Sequence, residues 1–435
     1  MLASIDVPAH QRANDFWCWI GDLFFPFFIF IWCLWAPAAF TSGKLFAPAL
    51  FVTALFLAPE AIKRLRGELR NDIVLVVLFL AWLAVSALWS PSDVSLLSGS
   101  LAGGDFSVDA PQIRFGITIL AAGVLISAAL FWVPAVADPK LPFLFGGAAL
   151  FLLVGLLVVT PLRQTIITNE GAGALPSAQS IGRAVNLLAV SMPIAAGVMV
   201  TELQGRARHL AIATSLAGFL VVAIRMDGAA ALIGLIVGAG VLVVFRLWPD
   251  RALERLFDAL AAAVIATPIL VWVGTMALSG IGSSLPVSAH QRLFIWEATV
   301  QRVFTKPLFG HGADASTTWH RTFAEEPQWL AFMPETFEFV RIIPGHPHNM
   351  ALQVWVETGL VGAVLLAGAL ATLGRKLPGP GNLESGVRVA VAGVFGVAVT
   401  LFFVSYSVWD ESFWASLAIV SSAIICLHTI SERRV

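Results

Sequence analysis

The stretch 345–362, GHPHNMALQVWVETGLVG, sets two histidines, an asparagine, a glutamine and a glutamate at the head of an otherwise apolar run. Asn349, Gln353 and Glu357 recur every fourth residue. That spacing draws a polar stripe down one side of a helix, a side that must face protein rather than lipid. Gly345 and Pro347 favour an extended approach with the helix beginning just beyond, which puts His348 at its N-terminus. A helix N-terminus and nearby arginines both disfavour imidazolium, so His348 is expected to stay neutral near neutral pH and to be able to accept a proton.

Three arginines are placed to work beside it. Arg183 opens an apolar segment in SIGRAVNLLAVSMP, Arg225 sits in the tight turn AIRMDGAA between two others, and Arg292 lies in SAHQRLFIWE. A single arginine at such depth is ordinarily explained by snorkelling to lipid headgroups. Three that converge on one face with a histidine point to phosphate oxygens, which a guanidinium fork meets bidentately and a lysine does not. The chemistry on offer is proton removal from a hydroxyl beside a bound phosphate. His311, His320 and His346 fall on the same side, and HPH spaces two imidazoles as a chelate would. With no third histidine or carboxylate fixed close in sequence, neither a metal site nor a cofactor is expected. Asp227, two residues from Arg225, is read as orienting it. Glu357, about two turns below His348, is read as a buried structural partner rather than the base. No GxSxG, P-loop or dinucleotide fingerprint occurs in a strand-turn-helix context.

Residues of this kind need a scaffold. The 435 residues are 58% hydrophobic and 12% charged, with a mean hydropathy of +0.86, in many blocks of membrane-spanning length. The chain is therefore expected to be an all-α polytopic membrane protein, one integral membrane domain over 1–435. About twelve spans are predicted, near 17–39, 45–60, 72–89, 114–135, 141–160, 181–201, 208–224, 228–246, 257–279, 349–373, 387–406 and 411–429. With both termini cytoplasmic, Lys63, Arg64, Arg66, Arg70, Lys140, Arg206, Arg208, Arg246, Arg251, Arg255, Arg375, Lys376, Arg433 and Arg434 all lie inside, as the positive-inside rule requires. The string Ala36-Pro37-Ala38 resembles a cleavage site, but Asp6, Asp15, Asp22 and the many following spans argue for a retained first helix. Cys18, Cys33 and Cys426 show no CxxC or Cys/His spacing, which argues against structural zinc and a disulfide framework.

The longest connection, 279–347, falls on the opposite, periplasmic side and is far beyond ordinary loop length. Within it HQRLFIWEATVQRVF places Leu293, Ile295, Trp296, Val300 and Val303 at helical spacing, the pattern of a short helix lying along the membrane surface. No internal repeat is found, so an inverted-repeat transporter has no support.

On these residues the chain resembles the O-antigen ligase and O-antigen polymerase superfamily of bacterial inner-membrane glycosyltransferases. His348-Asn349, nine residues, then Gly359, two residues and Gly362 reproduces its H-[NSQ]-x9-G-x-x-G signature. RLFIWEATVQRVFTKPLFGHG is similar to the arginine, tryptophan and PLFGxG segment that precedes it, and IRMDGAAALIGLIVG resembles the SRGA hairpin at Arg225, with Ile224 in place of serine and Met226-Asp227 inserted before Gly228. Arg183 matches no motif, and the likeness covers roughly 180–365. The resemblance implies a donor glycan linked through a diphosphate to undecaprenol, handled on the periplasmic face, and an acceptor hydroxyl on lipid A-core or on another glycan. Nucleic acid has no part in it.

The same resemblance implies His348 as base, Arg292 and Arg225 as catalytic arginines, and no metal. Arg183, His346, Asn349 and Trp296 are expected to bind substrate. The leading expectation is a ligase that transfers O-antigen to lipid A-core with inversion. A polymerase of O-antigen or exopolysaccharide is the alternative within the superfamily. A lipid-linked glycan flippase is the alternative of another class, disfavoured because the arginines cluster at one face and not at the midplane.

Overall fold

The structure is a computed structural model that describes residues 29, 31–40, 46–65, 71–93, 110–136, 140–162, 178–279 and 286–433. Most of the first expected span, the three early aspartates, Cys18, Arg66, Arg70, residues 280–285 and Arg434 lie outside the described residues, as do the side chains of Lys63 and Arg64. What is described is helical, with one antiparallel bridge between Thr322 and Arg341 and no strand. The helices are α1 (Ile31–Phe40), α2 (Phe46–Leu65), α3 (Asn71–Ser86), α4 (Pro111–Val136), α5 (Lys140–Val159), α6 (Ala178–Glu202), α7 (Gly205–Arg225) and α8 (Ala229–Leu247). They continue with α9 (Ala252–Ser279), α10 (Val287–Thr305), α11 (Met350–Gly374), α12 (Ser385–Val404) and α13 (Glu411–Glu432). Among the described residues nine helices are long and apolar enough to cross a membrane, and Ile31–Phe40 and Val74–Trp89 are shorter apolar helices. The chain is an all-α, multi-pass membrane protein.

Helix α12 packs most extensively, against α8 and α6, and small residues are the reason. Gly234 and Gly238 of α8 meet Val397 and Gly393, Gly197 of α6 meets Gly386, and Gly393 lies against Pro193. Lipid gives no hydrophobic drive between helices, so close backbone approach through small residues supplies much of the attraction. The result is a fixed position for the C-terminal end of α12 and for the segment 405–410 that follows.

Pro268 inside α9 cannot donate to the carbonyl of Val264 one turn back, and the Trp355 indole of α11 fills that vacancy at 2.8 Å. At the far end Gly381 donates to the Pro249 carbonyl at 2.7 Å and Arg375 pairs with Asp258 at 3.7 Å. That end carries Arg206, Arg208, Arg246, Arg251, Arg255 and Lys376, opposite the end that carries His348.

The expected continuous span 349–373 is interrupted. Gly359 adopts φ 68, ψ −165, a conformation essentially closed to residues with a Cβ, and α11 breaks there. The run Pro307-Leu308-Phe309-Gly310-His311-Gly312 docks its backbone into the break. Leu360 and Val361 donate to the carbonyls of Pro307 and Leu308, and His311 and Gly312 donate to those of Val356 and Glu357, the last two at 2.8 Å. The Trp82 indole of α3 takes the Thr358 carbonyl at 3.0 Å. Irregular backbone inside a membrane protein must satisfy its polar groups in this way. A Cβ at Gly359 would overlap the Leu308 carbonyl, and one at Gly310 would overlap the backbone of Glu357. Sequence periodicity sees only an unbroken apolar run.

Candidate active site

The helix expected along HQRLFIWEATVQRVF is α10, with Ile295, Ala298, Thr299, Val300 and Val303 buried on its bundle side. That face holds Arg292 at the C-terminal end of α12. Its Nε donates to the Val404 carbonyl at 3.1 Å and its Nη1 to the Ser288 carbonyl at 3.1 Å, so two of the guanidinium N–H groups are anchored and the rest remain for a ligand.

One residue along, the Ser405 carbonyl lies 3.0 Å from His348 Nδ1. A carbonyl only accepts, so Nδ1 carries the proton and Nε2 is left as the basic nitrogen. His348 is held at φ 53, left-handed backbone that costs a non-glycine residue on the order of 1–3 kcal/mol. Its own N–H donates to His346 Nδ1 at 3.1 Å, and the two rings are 4.2 Å apart. Burial lowers the affinity of His348 for a proton below the usual histidine range. The Ser405 bond opposes this and Arg292 adds to it. Burial, with His348 second, pushes His346 down to about 3, in keeping with an unprotonated, accepting Nδ1.

Two further residues secure this approach to α11. Trp296 of α10 donates from its indole to the Pro347 carbonyl at 3.0 Å. Asn349 is the N-cap of α11, accepting from the Leu352 amide at 2.9 Å, and is 3% exposed. Below it the polar stripe converges on Glu357. Asp314 N–H and Trp409 Nε1 donate to one carboxylate oxygen at 2.8 and 2.9 Å, while Gln353 Nε2 donates to the other at 3.0 Å with Ser316 Oγ at 2.7 Å. Gln353 in turn accepts from Ser407 Oγ and the Val408 amide, both at 3.0 Å.

The segment 404–410, VSYSVWD, therefore bonds to Arg292, His348, Gln353 and Glu357, and sequence reasoning passed over it. Tyr406, the only tyrosine in the chain, accepts from Asn186 Nδ2 at 3.3 Å. It lines a narrow cleft, with room for about one water, together with Arg183, Asn186 and Ser412. Asp410 caps α13 by accepting from the amides of Ser412 and Phe413 at 3.0 and 3.3 Å. Burial pushes its carboxyl above the usual range, and the charge of Arg183 opposes that rise. The signal was present: a lone tyrosine and an aspartate, with Trp409 between them, on the same side as His348.

Arg225 ends α7 at this same end of the bundle, exposed, in a hairpin whose Gly228 abuts Val185 two residues from Arg183. The structure thus brings His346, His348, Trp296 and Asn349 together at the approach to α11 and sets Arg292 on the carbonyl next to the one that meets His348. It sets Arg183 in the adjoining cleft and Arg225 on the neighbouring turn. Asp227 has φ 55. Among the described residues no three His, Cys, Asp or Glu side chains group as a metal site.

A multi-pass helical membrane protein with a half-buried histidine and a tethered arginine at one end is the class that fold and site define. Comparison with known proteins adds the family likeness. Residues 192–367 match the model of the O-antigen ligase family, a range that includes Arg225, Arg292 and His348. Proteins named "Putative polysaccharide ligase" are similar to part of the chain. One from Rickettsia typhi is 26% identical over 190 residues, 43% of this chain and 44% of its own length. One from Rickettsia conorii is 24% identical over 241 residues, 55% of each chain. The chain spans about half the length of the curated relatives it matches. The resemblance to the O-antigen ligase superfamily read from the signature stands on these findings.

Proposed function

We propose that the protein is a metal-independent, inverting glycosyltransferase of the bacterial inner membrane. In this reading it moves a glycan from undecaprenyl diphosphate to lipid A-core oligosaccharide on the periplasmic face, with both termini cytoplasmic. The observation that carries this reading is the pairing of His348 and Arg292 on the adjacent carbonyls of Ser405 and Val404. It sets a neutral base beside a fixed cation.

The acceptor hydroxyl gives its proton to His348 Nε2 as its oxygen attacks the anomeric carbon. The glycosidic C–O bond forms on one face of the sugar while the bond to the diphosphate oxygen breaks on the other, which inverts the anomeric centre. Undecaprenyl diphosphate leaves with the negative charge, met by Arg292, Arg225 and Arg183. His346 and Trp296 hold the loop that presents His348, and Asn349 caps its helix.

Deleting the gene in its host with the export machinery intact tests the acceptor. A ligase predicts bare lipid A-core and polymerised glycan accumulating on undecaprenyl diphosphate. Core capped with a single repeat unit would replace the ligase with a polymerase.

A further inference from the structure

A second cleft lies where the C-terminal half of α10 meets the paired strands of loop at Thr322 and Arg341. It has a volume of about 320 Å³ and is open on one side, at the lower end of the size range of small-molecule sites. Gln301, Arg302, Thr305, Trp319, Arg321 and Ile343 line it, and among the described residues no acidic side chain does. Two guanidinium groups therefore face the cleft, that of Arg321 paired with Glu326 behind it.

Each arginine is held in place by something other than a ligand. The guanidinium carbon of Arg302 sits 5.1 Å from the centroid of the Trp319 ring. Trp319 is buried and meets His311 edge-on, and His311 Nε2 lies 3.0 Å from the Arg302 carbonyl. An aromatic face beneath the cation fixes its plane and leaves the N–H edges free to fork onto an anion. Among the described residues Arg302 has no carboxylate partner. Arg321 pairs with Glu326, is about half exposed, and its backbone carbonyl is tied to the Ile342 amide at 2.9 Å. Burial pushes His311, behind Trp319, toward its neutral form.

The cleft is separate from the reacting centre. Arg302 is ten residues along α10 from Arg292, about 15 Å at the helical rise. The two are linked along the chain, since Ile342 and Ile343 in the cleft wall are followed by Gly345, His346 and His348.

We propose that this cleft binds a saccharide unit bearing a phosphate or carboxylate group, at a position removed from the reacting end of one of the two glycans. The inference rests on the glycan-transfer reading above. Arg302 and Arg321 take the anionic oxygens, Trp319 holds Arg302 in plane, and the Gln301 amide faces sugar hydroxyls. The anionic unit belongs either to the donor glycan or to the acceptor.

The test is steady-state transfer by the purified full-length protein, with donor and acceptor varied separately, in wild type and in Arg302→Gln/Arg321→Gln. The double variant is expected to raise KM about fivefold or more for one substrate. The substrate affected identifies the source of the anion. Removing that group, by phosphatase or by carboxyl reduction, should abolish the difference between wild type and variant. Arg302→Lys keeps the charge and is expected to fall between the two, while unchanged melting temperatures separate binding from misfolding. Unchanged KM for both substrates, or a rise that persists with the neutral substrate, would overturn the proposal and leave the transferase reading intact. Absence of any transfer by the wild type would overturn the reading on which it rests.

Discussion

His348 and Ser405 meet through one contact, imidazole Nδ1 to carbonyl oxygen at 3.0 Å, and that contact assigns the proton to Nδ1. Arg292 grips the preceding carbonyl, that of Val404, at 3.1 Å. The base and the cation are thus referenced to the same peptide turn, and movement of α12 would move both.

This arrangement predicts a pH profile. Burial and Arg292 both lower the proton affinity of His348, so the neutral, active form persists below the usual histidine range. Transfer should hold a plateau through neutral pH and fall on the acid side at a midpoint below the usual histidine value. Arg292→Gln removes one of the lowering charges, so residual activity should show its acid limb at higher pH. A log kcat/KM profile whose acid limb has its midpoint above pH ~7 in the wild type would assign the base to another group.

Arg292→Lys retains the charge but not the fork. Its anchoring bonds to Val404 and Ser288 use two guanidinium N–H groups that an ammonium cannot place in the same plane. Losing one charge-assisted bond to the leaving diphosphate costs about 1.5–3 kcal/mol, on the order of tenfold or more in rate. A lysine variant with wild-type rate and donor affinity would reduce Arg292 to headgroup attraction.

Glu357→Gln tests structure against chemistry. The carboxylate is approached by Asp314 N–H, Trp409, Gln353 and Ser316, and an amide NH₂ in place of one oxygen sets donor against donor. The expected outcome is reduced expression and a lower melting temperature, a cost of about 1–3 kcal/mol for a buried group left unpaired, with transfer per folded molecule largely kept. A well-folded but inactive Glu357→Gln would make Glu357 the base in place of His348.

The break in α11 gives a paired prediction on glycines. Gly359→Ala puts a Cβ on a backbone at φ 68 and into the Leu308 carbonyl, so the protein should fail to accumulate. Gly240→Ala meets nothing within 4 Å and should behave as wild type in size-exclusion chromatography. Equal behaviour of the two would mean that the docking of 307–312 into α11 is not needed for folding.

The helices were legible because lipid demands long apolar runs, and 181–201 or 411–429 could hardly be anything else. Arg292 and His348 were legible because costly polar types stand out against such runs. The break at Gly359 was not, since it depends on backbone donated by 307–312, some fifty residues away, and hydropathy carries no record of that pairing. The segment 404–410 was missed for a related reason. Its value lies in the carbonyls of Val404 and Ser405, which have no side-chain signature, and only Tyr406 and Asp410 mark the place.

The most direct test of the central claim is transfer in a purified system containing undecaprenyl-diphosphate glycan, lipid A-core acceptor and excess EDTA, with His348→Ala beside the wild type. The account predicts that the wild type releases undecaprenyl diphosphate and forms glycosylated acceptor without added metal. It also predicts that a correctly folded His348→Ala variant binds donor normally and is slower by about 100-fold or more. Full activity of that variant, or loss of wild-type activity in EDTA with recovery on adding a divalent ion, would contradict it.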